Sequence, residues 1–543
     1  MNMKAVRKKH SFLMRWTHWV NFPILAAMIW SGMLIYWANA KYSITLFGHE
    51  YLKFFPQGFY KTLNIPFRLA EGMALHFLFM WLFLINGMVY IIYTLISGHW
   101  RELAPKRHSL REAWQVLLHD LHIRKMKPPQ DKYNSAQRIA YTSIILMGLG
   151  SIITGLAIYK PVQFYWLTWM CGGYHLARIE HFILTIGYVV FFVIHIIQVA
   201  VAGWGNFRAA VTGFEVLPAN TTAPPDARKN LPGDHLTGQV APDGIPYAGA
   251  GEQVVTLGGQ TAPGGIPSAG ADEKAATPTV LTTRGVKRNT PMQLVTARQV
   301  NRRNFIAFAG FLGFGALAYK SWTWLNTSPV EPRGVTGGAR QPLRRALEQN
   351  EKIFRNTFSN DHLVQTYPRT MAAANVRVNS RIGMMDRDFD VAGWTMNVTK
   401  KDGSVIKITL DQLRALPKTE IVFDFKCVEG WDQISWWGGV KFSDFIEKFY
   451  LQDEAAMNYI GMATPDGQYY VGLERDAAMH PQTLLAYEVN GRPLPYEHGQ
   501  PLRLIVPVKY GIKNLKRIGS VVFSNERPKD YWAENGYDYY SGL

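Results

Sequence analysis

Cysteine is almost absent from this chain of 543 residues, which contains only Cys171 and Cys427. The two are 256 positions apart (427 − 171 = 256), without a CxxC pair or a Cys/His cluster, which excludes a disulfide framework and a structural zinc site. Acidic residues are also scarce, with 40 Asp and Glu against 58 Lys and Arg. The basic residues crowd the ends of apolar runs, as in "MNMKAVRKKH" and "RELAPKRHSLR". That distribution is typical of a membrane protein and argues against a nucleic-acid partner.

Long apolar runs reach the roughly 20 residues that a bilayer crossing needs. They predict four transmembrane helices near residues 16–37, 67–96, 138–159 and 179–201, and a fifth at 304–325. The basic N-terminus and the basic loop at 99–138 belong in the cytoplasm, so the residues after 325 lie outside. Arg302 and Arg303 are either a twin-arginine export signal or ordinary positive flanking residues. Both interpretations predict the same topology.

The composition divides the chain into four parts. Residues 1–205 form a transmembrane domain, and residues 206–303 form a cytoplasmic linker too poor in large apolar residues to build a core. In this linker the segment at 236–252 recurs at 257–273, a single duplication rather than a solenoid. Residues 304–326 are the fifth helix. Residues 327–543 form a soluble domain whose segments "SVIKITL", "EIVFDF", "LRLIVPV" and "IGSVVF" are typical of strands. The fold class is therefore a multi-domain membrane protein with a mixed α+β domain.

Ionisable side chains inside membrane spans usually mark function, because their burial in lipid is costly. Four histidines fall in the predicted spans: His18, His76, His181 and His195. His181 and His195 are 14 residues apart (195 − 181 = 14), close to four helical turns, so they share a face of the fourth helix. By the predicted topology, His18 is level with His195 and His76 with His181. Any one of these histidines could instead form a hydrogen bond with a backbone carbonyl. Four histidines that match in depth predict two bis-histidine sites, as two b-type haems need.

The segments "RWTHWV", "EGMALHFLFMW" and "IEHFILTIGYVVFFVIHIIQ" resemble the di-haem cytochrome b subunits of membrane formate dehydrogenases and nickel-iron hydrogenases. The resemblance extends from residue 14 to about residue 207. It implies two haem b groups and exchange of electrons with a membrane quinone. By the same resemblance, His18 and His195 hold the haem on the cytoplasmic side, and His76 and His181 hold the outer haem.

Cys427, in "DFKCVEGWDQISWWGGV", is open to several chemistries on its local sequence. A nucleophile would need an oriented base, and a redox thiol would need a second cysteine. A thiolate ligand of a soft transition metal suits a domain connected to haems. A buried structural cysteine is the remaining alternative.

Motifs in one order over residues 390–543 resemble the molybdopterin domain of the sulfite oxidase superfamily, and most of all the catalytic subunit of the periplasmic methionine sulfoxide reductase. They include "CVEGW", "WWGGVKFSDFI", "HGQPLRLIVPVKYGIKNLKRI" and "NERPKDYW". The resemblance implies that Cys427 gives its thiolate to molybdenum. The contacts that it implies for the pterin and its phosphate are Thr464, His498, Arg503, Asn514, Leu515 and Lys516.

Two departures from the family pattern bear on the substrate and on the pterin pocket. Sulfite oxidases follow the cysteine with Gly-Asn-Arg, whereas this chain has Glu429, Gly430 and Trp431. Glu429 would repel an anionic substrate, so we assign it to the catalytic site and expect a neutral S-oxide. The family's upstream Asn-Tyr-Glu has no clean counterpart. In its place "FRNTFSNDH" offers His362 as a pterin contact.

Together these patterns predict a molybdopterin-dependent oxidoreductase of the bacterial inner membrane, with its molybdenum domain in the periplasm. Electrons would pass from quinol through two b haems to an S-oxide such as protein methionine sulfoxide. Two alternatives remain at this point: the reverse reaction, a sulfite-dehydrogenase-like enzyme that feeds the quinone pool, and a non-catalytic electron conduit or anchor. A homo-oligomer or an additional subunit is compatible with the sequence.

Overall fold

The structure, a computed structural model, describes residues 3–39, 41–46, 49–120, 123, 133–216, 293–330, 340–384 and 388–543. Most of the linker expected at 206–303, including both copies of the duplicated segment, lies outside these residues, so that assignment stays a prediction. The helices are α1 (Phe12–Trp37), α2 (Gln57–Thr62), α3 (Leu69–Ile96), α4 (Trp100–Leu103), α5 (Ser109–Asp120), α6 (Ser135–Tyr159), α7 (Tyr165–Met170), α8 (Tyr174–Ala202), α9 (Trp204–Thr212), α10 (Ala297–Thr327), α11 (Gln341–Thr357), α12 (Leu410–Arg414), α13 (Phe442–Lys448), α14 (Gln452–Ala455), α15 (Arg475–Ala478) and α16 (Tyr531–Glu534).

The strands, in chain order, are β1 (Met3–Lys8), β2 (Ser43–Leu46), β3 (His49–Lys53), β4 (Phe214–Val216), β5 (Gln293–Thr296), β6 (Thr395–Thr399), β7 (Val405–Thr409), β8 (Thr419–Lys426), β9 (Asp432–Lys441), β10 (Tyr459–Ala463), β11 (Tyr470–Glu474), β12 (Leu484–Val489), β13 (Arg492–Pro493), β14 (Arg503–Ile505) and β15 (Ser520–Ser524).

Five helices of the described residues, α1, α3, α6, α8 and α10, are long and apolar enough to cross a membrane. Local signals start two of them. The Ser11 side chain accepts a hydrogen bond from the Met14 amide at the start of α1, and Asn134 and Gln137 form a capping box before α6. The four spans predicted in the N-terminal part agree with these helices to within a few residues. In lipid, a run of about twenty apolar residues can satisfy its backbone hydrogen bonds within the segment only as a helix.

The edges of the predicted linker differ from the structure. Helix α9 begins before residue 206, and α10 begins at Ala297 rather than at residue 304. Strands β4 and β5 flank β1 in a three-stranded antiparallel sheet of order β4-β1-β5. Arg7 of β1 makes an ion pair of 2.9 Å with Glu215 of β4. Apolar length was the only criterion for the fifth helix, and it misses the polar first turns of α10.

The soluble domain contains two five-stranded sheets. One has the order β11-β10-β15-β6-β7, in which β15 and β6 are parallel. The other has the order β13-β12-β9-β8, with β14 paired to β12. Strands β8 and β9 form an antiparallel hairpin from Thr419 paired with Gly439 to Lys426 paired with Asp432. Its turn, residues 427–431, carries Cys427 and is the part of the fold on which the site depends.

The soluble domain packs directly against the helical bundle. The indole Nε1 of Trp81 on α3 donates to Asn350 Oδ1 of α11 over 2.6 Å, and Asn350 is buried. The Lys160 ammonium, at the end of α6, is also buried and donates to the Gly542 carbonyl over 2.7 Å. Val162, just beyond, belongs to the same apolar cluster as Cys427. Buried polar groups are costly without partners, so these contacts hold one defined arrangement of the two parts.

Candidate functional site

His76 of α3 and His181 of α8 face each other, with ring centroids 6.2 Å apart and planes at 71°. The Nδ1 atom of each ring contacts a hydroxyl: Ser31 Oγ lies 3.0 Å from His76, and Thr154 Oγ1 lies 2.9 Å from His181. Each hydroxyl donates its own proton to a helical carbonyl, so its oxygen is left to accept the Nδ1 proton of the histidine. In each ring this leaves the lone pair on Nε2, which is the arrangement of a metal-binding histidine oriented by an outer hydrogen bond.

His18 of α1 and His195 of α8 form a second pair, with ring centroids 6.0 Å apart and planes at 72°. The Phe191 ring stacks on His195 at 5.8 Å. A metal between two imidazoles fits these spacings: two metal–nitrogen bonds of about 2 Å plus roughly 1 Å from each nitrogen to its ring centre separate the centroids by about 6 Å. The structure thus brings together the two pairs expected from depth. Their ligation of haem iron stays a prediction.

Cys427 lies at the start of the tight turn between β8 and β9. The Gly430 amide donates to the Cys427 carbonyl over 2.9 Å, and the Cys427 amide donates to the Trp431 carbonyl over 2.9 Å. Gly430 has φ +87°, which a residue with a Cβ rarely adopts. Burial raises the pKa of the Cys427 thiol to about 12, and the Glu429 carboxylate also raises it. The bare site therefore holds a protonated thiol, and a metal would have to displace the proton to bind.

Beside the turn lies a small cavity. Its lining residues are Val376, Arg377, Asn379, Phe425, Trp431, Gln433, Ser435, Trp437 and Arg503. The Arg503 guanidinium lies 4.5 Å from the centre of the Trp437 ring and is buried, and its Nε has no hydrogen-bond partner among the described residues. Burial lowers the pKa of Arg503 to about 9. An unpartnered guanidinium nitrogen at a cavity fits an anionic group that the cavity would receive.

Lys516 adds a second buried cation near Arg503. Its ammonium donates to the carbonyls of Asn379, Ser380 and Glu497, over 2.5, 3.0 and 2.8 Å. Burial lowers the pKa of Lys516 to about 7, and the neighbouring Arg503 charge lowers it further. The three carbonyls use all three N–H donors of the ammonium, so Lys516 would act on a pterin phosphate through its charge, whereas Arg503 also has a donor that is free within the described part of the chain. The negative charge of the phosphate would relieve the repulsion between the two cations.

Of the other expected pterin contacts, His498, Asn514 and Leu515 lie beside Arg503 or the residue that follows it. The Arg503 guanidinium donates to the carbonyls of His498 and Asn514, over 3.4 and 3.5 Å, and the His498 ring packs edge-on against Trp437. Leu515 is fully buried, and its carbonyl accepts from the Leu504 amide. The Thr464 hydroxyl is engaged in its own turn, where it donates to Asp466 Oδ1 over 2.6 Å. As a pterin contact, Thr464 would therefore have to act without that hydrogen bond or through its backbone.

His362 is not part of this group. It lines a different small cavity, beside Asp476, Lys509 and Tyr540. The chain after α11 is tied to the bundle, where the Tyr165 hydroxyl donates to Gln365 Oε1 over 2.7 Å, and this holds His362 away from Arg503. Glu429, by contrast, lies two residues from Cys427 as expected, and its carboxylate accepts from the Trp431 indole over 3.0 Å.

Arg377 and Asn379, which the sequence analysis did not single out, line the Arg503 cavity. The Arg377 guanidinium lies 4.5 Å from the centre of the Trp431 ring, and its charge acts to lower the pKa of Cys427 against the stronger effect of burial. The only sequence signal is the basic character of "NVRVNSRI", between two turn-rich segments. That signal is too common to identify a site without the fold.

Two family models match the chain in the order expected. Residues 9–213 match the model described as "Prokaryotic cytochrome b561", and residues 383–532 match "Oxidoreductase molybdopterin binding domain". The predicted fold class and the predicted kinds of cofactor, haem b and molybdopterin, are thereby confirmed. That there are two haems stays a prediction.

Curated relatives point the same way. The chain is 33% identical over 186 residues to "Putative protein-methionine-sulfoxide reductase subunit YedZ1" of Azospira oryzae, a match that covers 34% of this chain and 70% of that protein. It is 29% identical over 178 residues to "Protein-methionine-sulfoxide reductase catalytic subunit MsrP" of Campylobacter jejuni, covering 29% of this chain and 59% of that protein. The subunit of the same name in Xanthomonas axonopodis is 33% identical over 169 residues, covering 28% of this chain and 52% of that protein.

The chain thus spans 70% of the first of these relatives and little more than half of the two catalytic subunits. The histidine pairs lie within the first matched range and the Cys427 turn within the second. The chain thus joins a prokaryotic cytochrome b561 domain and an oxidoreductase molybdopterin-binding domain in one polypeptide.

Proposed function

We propose that this protein is a respiratory enzyme of the bacterial inner membrane that takes electrons from quinol and reduces an S-oxide, such as methionine sulfoxide in proteins, at a molybdenum centre in the periplasm. The overall reaction consumes two electrons and two protons per sulfoxide and yields a thioether and water. The observation that carries the proposal is the presence of two facing histidine pairs and a buried Cys427 beside a cation-lined cavity, all in one chain. The names of the relatives support the choice of substrate.

His76 and His181 would hold one haem, and His18 and His195 the other. A haem supplies one-electron transfer, which quinol oxidation across a membrane requires. Ser31 and Thr154 keep the outer pair in the tautomer whose Nε2 can bind a metal. The basic flanks of α1 and α10 support a cytoplasmic N-terminus and an external soluble domain.

Cys427 would hold molybdenum through its thiolate, and a molybdenum centre in such a site supplies oxygen-atom transfer. Burial excludes bulk water from the thiol, and the turn fixes its direction through two backbone hydrogen bonds. Arg503 and Lys516 would bind the anionic end of the pterin. Trp431 holds the Glu429 carboxylate close to the cavity, where its charge would disfavour sulfite and tolerate an uncharged sulfoxide.

The test is cofactor analysis of the purified protein, together with its Cys427→Ser variant, using a panel of methionine sulfoxide, other S-oxides and sulfite. We expect haem and molybdenum in the wild type, oxidation of the reduced haems by sulfoxide, and no reaction of the oxidised haems with sulfite. Cys427→Ser should lose sulfoxide-driven haem oxidation and the Mo(V) electron paramagnetic resonance signal of the wild type, with an unchanged haem spectrum. A Cys427→Ser protein with full activity would refute the assignment.

A further inference from the structure

The tip of the Cys427 turn touches the helical bundle. The guanidinium of Arg178, on α8, lies directly over Gly430: a Cβ added at Gly430 would come within 3.0 Å of Arg178 Nη2 and 3.2 Å of its Cζ. Gly430 is hydrogen-bonded to the carbonyl of Cys427. The backbone of Gly430 therefore lies between Cys427, to which it is hydrogen-bonded, and a charged side chain of the bundle.

Arg178 is three residues before His181 (181 − 178 = 3), which is about one helical turn or roughly 4.5 Å along α8. Residues at this spacing lie on the same face of a helix. The same relation holds on α3, where Met73 precedes His76 by three residues and packs against the apolar cluster that contains Cys427. Both members of the outer histidine pair thus lie one turn below a residue that contacts the Cys427 cluster.

Charged side chains of both signs meet at this contact. Asp432, at the start of β9, is half-buried, and burial and the nearby Asp424 raise its pKa while Lys426, Arg178 and His175 act in the opposite direction. Arg178 also lies 5.9 Å from the ring centres of both Tyr42 and Tyr174, and the Lys426 ammonium lies 5.3 Å from the Tyr174 ring. Arg178 of α8 thus acts on Asp432 across the contact, whereas Asp424 is paired with Lys426 of its own hairpin over 2.8 Å, and Glu180 adds a carboxylate to the first turns of α8.

We infer that the contact between Arg178 and Gly430 is the electron-transfer junction of the protein, through which the outer histidine pair and the Cys427 site are coupled. This inference rests on the proposed function, because it assumes a haem on His76 and His181 and a metal on Cys427. Arg178 acts here as a positioning residue: it holds the turn against α8 and fixes the separation of the two centres. This contact is part of neither the histidine pairs nor the cavity beside the Cys427 turn.

The experiment uses the full chain in detergent, with its haems reduced, mixed rapidly with methionine sulfoxide while the haem α-band is followed. Arg178→Ala should slow the oxidation of the haems by about tenfold, which corresponds to about 1.4 kcal/mol of activation free energy. The rate of haem oxidation in Arg178→Lys should lie between the rates of the wild type and of Arg178→Ala. The matched control is Arg68→Ala, because Arg68 precedes α3 and pairs with Glu71 of the same helix, away from the Cys427 turn.

Two further readouts separate coupling from general damage. Haem content and the Mo(V) signal of Arg178→Ala should equal those of the wild type. Its turnover rate with quinol as the electron donor should fall relative to its turnover rate with a reduced viologen as the electron donor. Independently of activity, Arg178→Glu should lower the Tm of the protein by placing a third carboxylate beside Asp424 and Asp432. Adding Asp432→Arg should restore both the Tm and the rate of haem oxidation.

The outcomes distinguish the two proposals. A wild type whose reduced haems do not react with any S-oxide would overturn the proposed function, and the junction with it. A reactive wild type with an Arg178→Ala variant that reacts equally fast would overturn the junction alone. The junction would also be overturned if the Arg178→Glu, Asp432→Arg double variant were no better than Arg178→Glu.

Discussion

Removal of the hydroxyl that contacts His181 should change one haem and spare the other. The Thr154 hydroxyl lies 2.9 Å from His181 Nδ1 and donates its proton to the Gly150 carbonyl, so it accepts from the imidazole. Such a hydrogen bond makes the imidazole a stronger donor to a metal and so stabilises the higher oxidation state of that metal. One hydrogen bond contributes a net free energy of about 0.5–1.5 kcal/mol. Its loss should therefore raise the reduction potential of the haem by roughly 20–60 mV.

The perturbation is Thr154→Val, which keeps the shape of the side chain, and the assay is a redox titration of the purified protein that follows the haem α-bands. We expect one of two midpoint potentials to rise by this amount and the other to stay within error. Ser31→Ala should move the same midpoint, because Ser31 contacts the partner ring, His76. Thr94→Val, a buried threonine 18 residues from His76 on the same helix (94 − 76 = 18), is the control. Shifts of different haems by Thr154→Val and Ser31→Ala would refute the pairing.

Three other predictions concern the soluble domain. In cofactor-free protein, Lys516 binds its proton less tightly in the folded than in the unfolded state, so it should contribute a rise of roughly 1.4 kcal/mol per pH unit to the free energy of unfolding between pH 7 and 10. Burial lowers the pKa of Lys160 to about 7 as well, so denaturant titrations should show a slope that is smaller by this amount in Lys516→Met than in the wild type, and equal slopes would contradict the assignment. Asn350→Ala leaves the Trp81 indole without its acceptor, so it should lower the free energy of unfolding by about 1–3 kcal/mol. The control Asn535→Ala, at an exposed position, should lower it by less than about 0.5 kcal/mol. Equal effects of the two substitutions would contradict the role of Asn350 in docking the soluble domain to the bundle. Protease added to intact spheroplasts should cleave after residue 326 and spare 217–292; cleavage of the latter from outside would overturn the topology.

The fold could be predicted from the sequence where one physical constraint dominates. Lipid demands continuous apolar helices, and α1, α3, α6 and α8 follow from that alone. Runs rich in β-branched and aromatic residues likewise marked the strands β7, β8 and β15. Depth in the membrane was enough to pair His18 with His195 and His76 with His181, and the structure brings both pairs together.

What could not be predicted depends on contacts between distant segments. His362 was expected near Arg503, but no local pattern records that the chain after α11 is held to the bundle at Gln365. Arg377 and Arg178 are single basic residues whose roles arise from the surfaces that they meet. Strands β4 and β5 are short and pair with β1 from far along the chain, so their stability comes from tertiary pairing rather than from their own sequences.

The order of the small sheet has a consequence for biosynthesis. Strand β1 is its middle strand, yet it ends at Lys8, whereas β5 begins at Gln293, 285 residues later (293 − 8 = 285). At about 5–20 residues per second, the ribosome needs roughly 15–60 s to deliver that second partner. Throughout this time an edge of β1 stays open to any other nascent strand. The edge that β5 later fills runs over residues 3–6, whereas Arg7 and Lys8 pair with β4, where Arg7 makes its ion pair with Glu215. The most N-terminal strand is thus among the last to be completed.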